Sequence, residues 1–135
     1  DNMGNYVSGQ LIKAMIKKGI NVEGSNVLIL GFTFKENCPD IRNTRIIDVV
    51  KELGNYSCNV DIFDPWVDAE EVEEEYGIIP VSEIKAASYD AIIVAVGHEQ
   101  FKKMGSTDIR GFGKDKHVLY DLKYILSPEQ SDVRL

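Results

Sequence analysis

The stretch V-L-I-L-G-F-T-F-K-E-N-C-P-D-I, residues 27–41, decides how the rest of the chain is interpreted. Its first four residues form a continuous apolar run, which is typical of a strand covered on both faces of a sheet. A glycine directly after such a strand is where a dinucleotide-binding fold begins its phosphate loop. Here the other two glycines of the G-x-G-x-x-G fingerprint are missing. The stretch therefore predicts a loop at the ligand edge of an α/β sheet that presents side chains to its ligand.

The segments around this stretch alternate between helix and strand patterns. Helices are predicted over residues 3–18, from a cap at Asn43 or Thr44 to Leu53, from Asp68 to Gly77, from Ser82 to about Ala87, and from His98 to Met104. Strands are predicted at Asn26–Gly31, Asn59–Phe63, Ile78-Ile79, Ala91–Val96 and Val118–Leu122. The alternation predicts an α/β fold: a three-layer, Rossmann-like, doubly wound and mainly parallel five-stranded sheet, preceded by an N-terminal helix.

Composition narrows the classes of function. The chain has 135 residues and a net charge of −7, which argues against a nucleic-acid or membrane-surface partner because both need a basic face. No apolar run approaches the roughly 20 residues of a membrane helix. The cysteines, Cys38 and Cys58, form neither a C-x-x-C pair nor a zinc spacing, so we expect no metal site and a reduced, cytoplasmic protein.

Basic side chains follow two of the predicted strands. Lys35 comes soon after the first strand, between Phe34 and a polar loop, and Lys123 comes directly after the last strand. Because the carboxyl ends of parallel strands share one edge, we expect these lysines to lie near the same ligand. An ammonium group suits a phosphate or a sugar hydroxyl. A solvated surface charge is the alternative for Lys35.

Arg42 lies near the start of the second predicted helix. A guanidinium there can clamp a phosphate in a bidentate manner, but it can equally form an ion pair with Asp40 or Asp48. Cys38 lies in the same loop as Lys35, which can approach it, but neither histidine can be placed beside it from the sequence. We therefore expect it to be non-catalytic.

Two further polar residues follow predicted strands and have open roles. Asp64 stands where dinucleotide folds bind a ribose, but without the glycine fingerprint a turn-forming Asp-Pro is the favoured interpretation. His98 follows the Ala91–Val96 strand, where it can cap the next helix or contact a ligand, and we favour the structural role. The acidic run at Glu70–Glu75 is interpreted as a solvated helix face, with binding to a partner as the alternative.

Several of these motifs together resemble one family. G-F-T-F-K-E-N-C-P-D-I-R-N-T resembles the G-x-x-F-K-x-x-x-x-D-x-R-x-S loop of the nucleotide-sugar 6-dehydrogenases, the UDP-glucose/GDP-mannose dehydrogenase family. The resemblance continues, in register, through Val60–Trp66, Asp90–Phe101 and Tyr120–Lys123. The match is closest to members that oxidise UDP-N-acetylhexosamines for surface polysaccharides.

The resemblance implies a domain arrangement. Family enzymes have an N-terminal NAD-binding domain, a central helical region that forms the dimer, and a C-terminal Rossmann-like domain that binds the UDP part of the substrate. Residues 1–20 resemble the end of the central connecting helix, and residues 21–135 resemble the C-terminal UDP-sugar-binding domain. The chain carries neither the NAD fingerprint nor the segment with the catalytic cysteine, so we expect it to be inactive alone and to work with those other domains, in a homodimer.

The resemblance also implies roles for individual residues. The family transfers two hydrides from C6 of the sugar to NAD and so converts the sugar to a uronate. Phe34 and Lys35 match residues that contact the nucleotide sugar, and Arg42 matches an arginine that reaches toward NAD. Lys123 stands where many members have an arginine near the substrate, and lysine cannot make the same bidentate clamp. The alternative function is a free-standing, non-catalytic module that binds a nucleotide or a protein.

Overall fold

The computed structural model describes residues 2–135. Over this range the helices are α1 (Met3–Lys17), α2 (Ile46–Asn55), α3 (Ala69–Tyr76) and α4 (Glu99–Arg110). The strands are β1 (Asn26–Leu30), β2 (Asn59–Phe63), β3 (Tyr89–Val94), β4 (Gly113–Asp121) and β5 (Val133–Arg134). A short 3₁₀ turn, Pro128–Gln130, precedes β5.

The five strands form one parallel sheet in the order β2-β1-β3-β4-β5. The chain leaves β1 toward β2 on one side and then crosses back to β3 on the other side of β1. The carboxyl ends of β1 and β3 therefore flank the switch point in strand order, where open α/β sheets bind ligands. The predicted doubly wound α/β fold with an N-terminal helix is confirmed.

Helices cover both faces of the sheet because its central strands are apolar on both faces. Val27 and Ile29 of β1 join a core with residues of α1 and α2, whereas Leu28 and Leu30 face a second core with residues of α4. Successive side chains of a strand point to opposite faces, so a continuous apolar run supplies both cores. The helix residues buried in these cores include Val7, Leu11, Met15, Val49, Leu53, Phe101 and Ile109.

Gly31 ends β1 in a conformation that other residues rarely adopt, with φ of 104°. A Cβ added at this position would lie 2.6 Å from the Cβ of Val96, which follows β3. Real Cβ contacts do not come this close, so only glycine lets the two strand ends approach each other at the switch point. The glycine that suggests a phosphate loop in the sequence is thus explained by the packing of its own backbone.

Two elements predicted from the sequence are wrong. Ile78-Ile79 is not a strand: Ile79 is 72% exposed, and the nearby backbone bond to β2 comes from Val81, whose N–H donates to the carbonyl of Ile62. Pro80 has no N–H to donate, which weakens any strand pairing here. The fifth strand is instead β5, which pairs with β4.

The predicted helix from Ser82 to Ala87 is also absent, and a series of turns stands in its place, with Ala87 at φ of 53°. The predicted start and end of α3 are confirmed. Asp68 caps α3 by accepting a hydrogen bond from Glu70 N–H, and Gly77 ends it in the left-handed conformation. The last helix continues past Met104 to Arg110 across a kink at Gly105, where φ is 70°.

Candidate functional site

A cavity of about 230 Å³ opens at the switch point of the sheet. Its walls come from the loop after β1, the residues after β3, the start of α2, the first turn of α1, and Lys123 after β4. The lining residues are Met3, Thr33, Phe34, Lys35, Glu36, Thr44, Arg45, Ile46, Ala95, Val96 and Lys123. The topology alone predicts a ligand site here, and the cavity lies at the predicted place.

Three of the four residues predicted to bind ligands lie together in this cavity. Phe34, Lys35 and Lys123 all line it, although Lys123 is far from the other two in the sequence. Phe34 leaves 57% of its surface exposed, which is unusual for a phenylalanine and leaves its ring available for contact. The cavity therefore combines an aromatic face with three cationic residues, the third being Arg45, and one acidic residue, Glu36. This combination suits a ligand with a planar or sugar-like part and a phosphate.

Arg42 lies apart from this cavity. It lines a second and larger depression of about 530 Å³, together with Asp40, Trp66 and residues of α3. Its guanidinium makes a bidentate pair with Asp40, at 3.0 Å from Nε to Oδ1 and 3.2 Å from Nη2 to Oδ2. The hydrogen bond from Arg42 lowers the pKa of Asp40. The ion pair that the sequence leaves open for Arg42 is present, while 84% of its side chain remains exposed.

Asp64 is buried beneath the loop that carries Phe34 and Lys35. Its Oδ2 accepts hydrogen bonds from the backbone N–H groups of Phe32, at 2.6 Å, and Thr33, at 3.1 Å. Its Oδ1 accepts from Trp66 N–H at 2.8 Å, which confirms the predicted turn at this position. The sequence predicts that turn but not the contacts to the loop, because these join residues that are 32 and 31 positions apart.

His98 is fully buried and completes the support of the same loop. Its Nε2 lies 3.0 Å from Oδ2 of Asp64, and its Nδ1 accepts a hydrogen bond from Asn37 N–H at 2.9 Å. The side chain makes no capping bond to α4, although the residue stands at the N-cap position. The role of His98 is therefore structural, as the sequence favours, but the side chain does not cap the helix. Its partners, however, are the site loop and Asp64, which sequence reasoning missed.

The two cysteines do not line this cavity. Cys38 and Cys58 are free thiols, and Cys38 lines the depression beside Arg42. Within residues 2–135, no group of three or more His, Cys, Asp or Glu side chains is placed to hold a metal ion. None of the helices in this range is both long and apolar enough to cross a membrane.

The chain is similar in sequence to known proteins. The family model for the UDP-binding domain of the UDP-glucose/GDP-mannose dehydrogenase family matches residues 28–128. The whole chain is 88% identical to part of a UDP-N-acetyl-D-glucosamine 6-dehydrogenase of Salmonella typhi and 56% identical to part of one from Pseudomonas aeruginosa. The chain spans 32% of the length of each of these relatives.

Solved structures share the fold. An NDP-N-acetyl-D-galactosaminuronic acid dehydrogenase from Methanosarcina mazei superposes with a TM-score of 0.83 at 22% identity, over 96% of this chain and 27% of that one. A UDP-D-ManNAc dehydrogenase from Pyrococcus horikoshii gives a TM-score of 0.75 at 23% identity, over 98% of this chain and 30% of that one. At these identities the likeness concerns the fold.

Proposed function

The chain belongs to the UDP-glucose/GDP-mannose dehydrogenase family, and from that premise we propose that it is the UDP-sugar-binding domain of an NAD-dependent UDP-N-acetyl-D-glucosamine 6-dehydrogenase. The proposed substrate class follows the printed activity of the two relatives that match the whole chain at 88% and 56% identity. The proposed full reaction is the oxidation of the sugar C6 alcohol to a carboxylate. NAD, when bound to the longer protein, accepts the two hydrides.

The observation that carries the proposal is the meeting of Lys35 and Lys123 at one cavity of a chain with a net charge of −7. Two ammonium groups at the switch point favour an anionic ligand there in spite of the overall negative charge. The diphosphate of a UDP-sugar supplies that anion. The exposed ring of Phe34 then offers an apolar face to the sugar or the base.

We assign most of the NAD site to parts of the longer protein outside this chain. In the loop after β1, side chains occupy the place where a dinucleotide-binding fold exposes its backbone to the phosphates. The chain therefore does not fit a complete NAD site. We assign to this chain a single contribution to NAD binding, from Arg42, which lies outside the cavity and is largely exposed. We also assign residues 1–20 to the end of a connecting helix that leads to the other domains of a homodimeric enzyme.

The experiment is a kinetic comparison of Lys35→Ala and Lys123→Ala in the longer protein. Each substitution removes one charge-assisted contact, and we expect KM for UDP-N-acetylglucosamine to rise about tenfold or more. KM for NAD should stay the same. Lys103→Ala is the matched control, because Lys103 is exposed on α4 and does not line the cavity. If both site variants keep the KM of the unchanged protein, the assignment of this cavity is wrong.

A further inference from the structure

Buried side chains that do not line the cavity support the loop of residues 32–37, which is named the site loop. Asp64 and His98 both have side chains with no solvent exposure, and neither lines the cavity. Their hydrogen bonds nevertheless end mainly on the site loop, on the N–H groups of Phe32, Thr33 and Asn37. The two residues thus contact the inner side of the loop whose outer side presents Phe34 and Lys35.

The bonds of His98 fix where its proton lies. Because Nδ1 accepts from the N–H of Asn37, the single ring proton of the neutral imidazole is on Nε2. That proton points at Oδ2 of Asp64, 3.0 Å away, and at the hydroxyl of Thr33, 3.2 Å away. The Thr33 hydroxyl in turn donates to the carbonyl of Lys35 at 2.8 Å. A continuous hydrogen-bond path therefore leads from Asp64 to the backbone of Lys35.

The site loop is also tied to the start of α4. The side-chain oxygen of Asn37 accepts a hydrogen bond from Glu99 N–H at 2.9 Å, while its own N–H donates to His98. Asn37 has φ of 55°, a left-handed conformation that asparagine tolerates better than most residues. Both ends of the loop are thus fastened: Phe32 and Thr33 to the end of β2 through Asp64, and Asn37 to α4 through His98.

We propose that Asp64 and His98 are positioning residues for the UDP-sugar site, which hold the site loop so that Lys35 and Phe34 are already in place before the substrate binds. The inference rests on the proposed function of the cavity. A preorganised loop does not lose further conformational freedom on binding, so the charge of Lys35 contributes fully to affinity. A buried network in which every member has its partner is a rigid support for this purpose.

Two substitutions separate the halves of the network. His98→Gln places an amide N–H near the position of Nε2 and keeps the bond to Asp64, but it offers no acceptor to Asn37. His98→Asn places an oxygen near the position of Nδ1 and keeps the bond to Asn37, but it loses the donor to Asp64. Asn37→Gly tolerates the left-handed backbone and removes the exposed side chain that bonds Glu99 N–H, and it also gives the loop more conformational freedom. It tests the loop even if both histidine variants fold poorly.

The measurement is steady-state kinetics of the longer protein with UDP-N-acetylglucosamine and NAD. We expect His98→Gln and Asn37→Gly to raise KM for the UDP-sugar by about tenfold, with KM for NAD unchanged. A merely structural role would lower the amount of active protein, and so kcat, without moving either KM. Asp132→Asn, which disturbs hydrogen bonds beside β5 and does not line the cavity, should leave KM for the UDP-sugar unchanged.

The outcomes distinguish this inference from the function on which it rests. If Lys35→Ala raises KM for the UDP-sugar but folded His98→Gln and Asn37→Gly do not, the cavity assignment stands and the positioning role is wrong. If Lys35→Ala, Lys123→Ala and the loop variants all keep the original KM, both are overturned. If the Asp132→Asn control raises KM as much as the loop variants, the effect is a general loss of stability and the positioning role is again wrong.

Discussion

The outer strands of the sheet, β2 and β5, are each flanked by an aspartate that collects hydrogen bonds, and the two aspartates differ in their partners. Asp64 follows β2, is buried, and bonds to backbone N–H groups and one neutral histidine. Asp132 precedes β5 and keeps 23% of its side chain exposed. It bonds to the cations of Arg110 and Lys18 and to the N–H of Leu119.

The difference shows how one residue type serves two purposes. Around Asp132 the interactions are between charges near solvent, and they join the ends of α1 and α4 to the C-terminal segment. Such pairs are modest in strength and are screened by salt. Around Asp64 the partners are backbone groups with fixed directions, which define the geometry of the site loop. The first arrangement fastens the edge of the sheet, and the second shapes the loop that lines the candidate cavity.

The largest expected effect comes from Asp64→Ala. The substitution leaves the N–H groups of Phe32 and Thr33 buried without their acceptor, and we expect a loss of about 3–5 kcal/mol in the free energy of unfolding. Urea unfolding followed by circular dichroism measures it. The loss should be the same in 1 M NaCl as in dilute buffer, because the hydrogen-bond partners of Asp64 are buried away from the salt solution. A loss below about 1 kcal/mol would contradict the description of Asp64 as a buried support.

Asp132→Asn should cost less, about 1–2 kcal/mol, since its charge-assisted bonds are partly exposed to solvent. Unlike the effect at Asp64, this loss should shrink in 1 M NaCl. The same urea titrations, repeated at both salt concentrations, measure the contrast. Equal salt dependence at the two aspartates would remove the distinction drawn between them.

The pH dependence of Asp132 follows from its partners. Burial alone would raise the pKa of Asp132, but hydrogen bonds from Arg110 and Leu119 and the charge of Arg110 outweigh it and hold the pKa below its usual value. A group with a lowered folded pKa contributes stability above the unfolded pKa of about 3.9 and loses it as pH falls through the folded value. The stability gap between the original protein and Asp132→Asn should therefore be full at pH 6 and narrow below about pH 4.

The two regions also differ in how far the sequence predicts them. The strand before Gly31 and the cap at Asp68 are local patterns, and both are present in the structure. The convergence of Lys35 and Lys123 on one cavity follows from the rule that parallel strands end at a common edge. These features need only short-range patterns and topology.

The features that the sequence did not predict depend on distant partners. β5 is two residues long, and its strand geometry comes from pairing with β4. Asp64 and His98 are 34 positions apart, and no spacing rule links a residue after β2 with one after β3. Each is an ordinary turn or cap residue in its own segment. Their pairing becomes visible only when the sheet places β1 between the strands that carry them.

A smaller effect is expected at the far half of the loop after β1. The hydroxyl of Tyr76 on α3 donates to the carbonyl of Ile41 at 2.7 Å, and its ring packs edge-on against Phe32. Burial raises the pKa of Tyr76, so the phenol remains a donor at neutral pH. Tyr76→Phe keeps the ring contact, removes the hydrogen bond, and should cost about 1 kcal/mol by urea unfolding. Tyr56→Phe, at an exposed tyrosine, is the control and should cost nothing measurable.

The smallest effect on stability is expected from Arg42→Ala. Arg42 and Asp40 form a bidentate pair like that of Arg110 and Asp132, yet Arg42 is 84% exposed and its partner is only two residues away. Such a pair joins nothing distant and is screened by solvent, so the urea midpoint should not move. Arg110→Ala is the matched control and should lower the midpoint, because Arg110 joins α4 to the segment before β5.

If Arg42 faces NAD as proposed, the same Arg42→Ala variant of the longer protein should raise KM for NAD and leave KM for the UDP-sugar unchanged. A lowered midpoint without a change in KM for NAD would instead make Arg42 a structural residue, like Arg110.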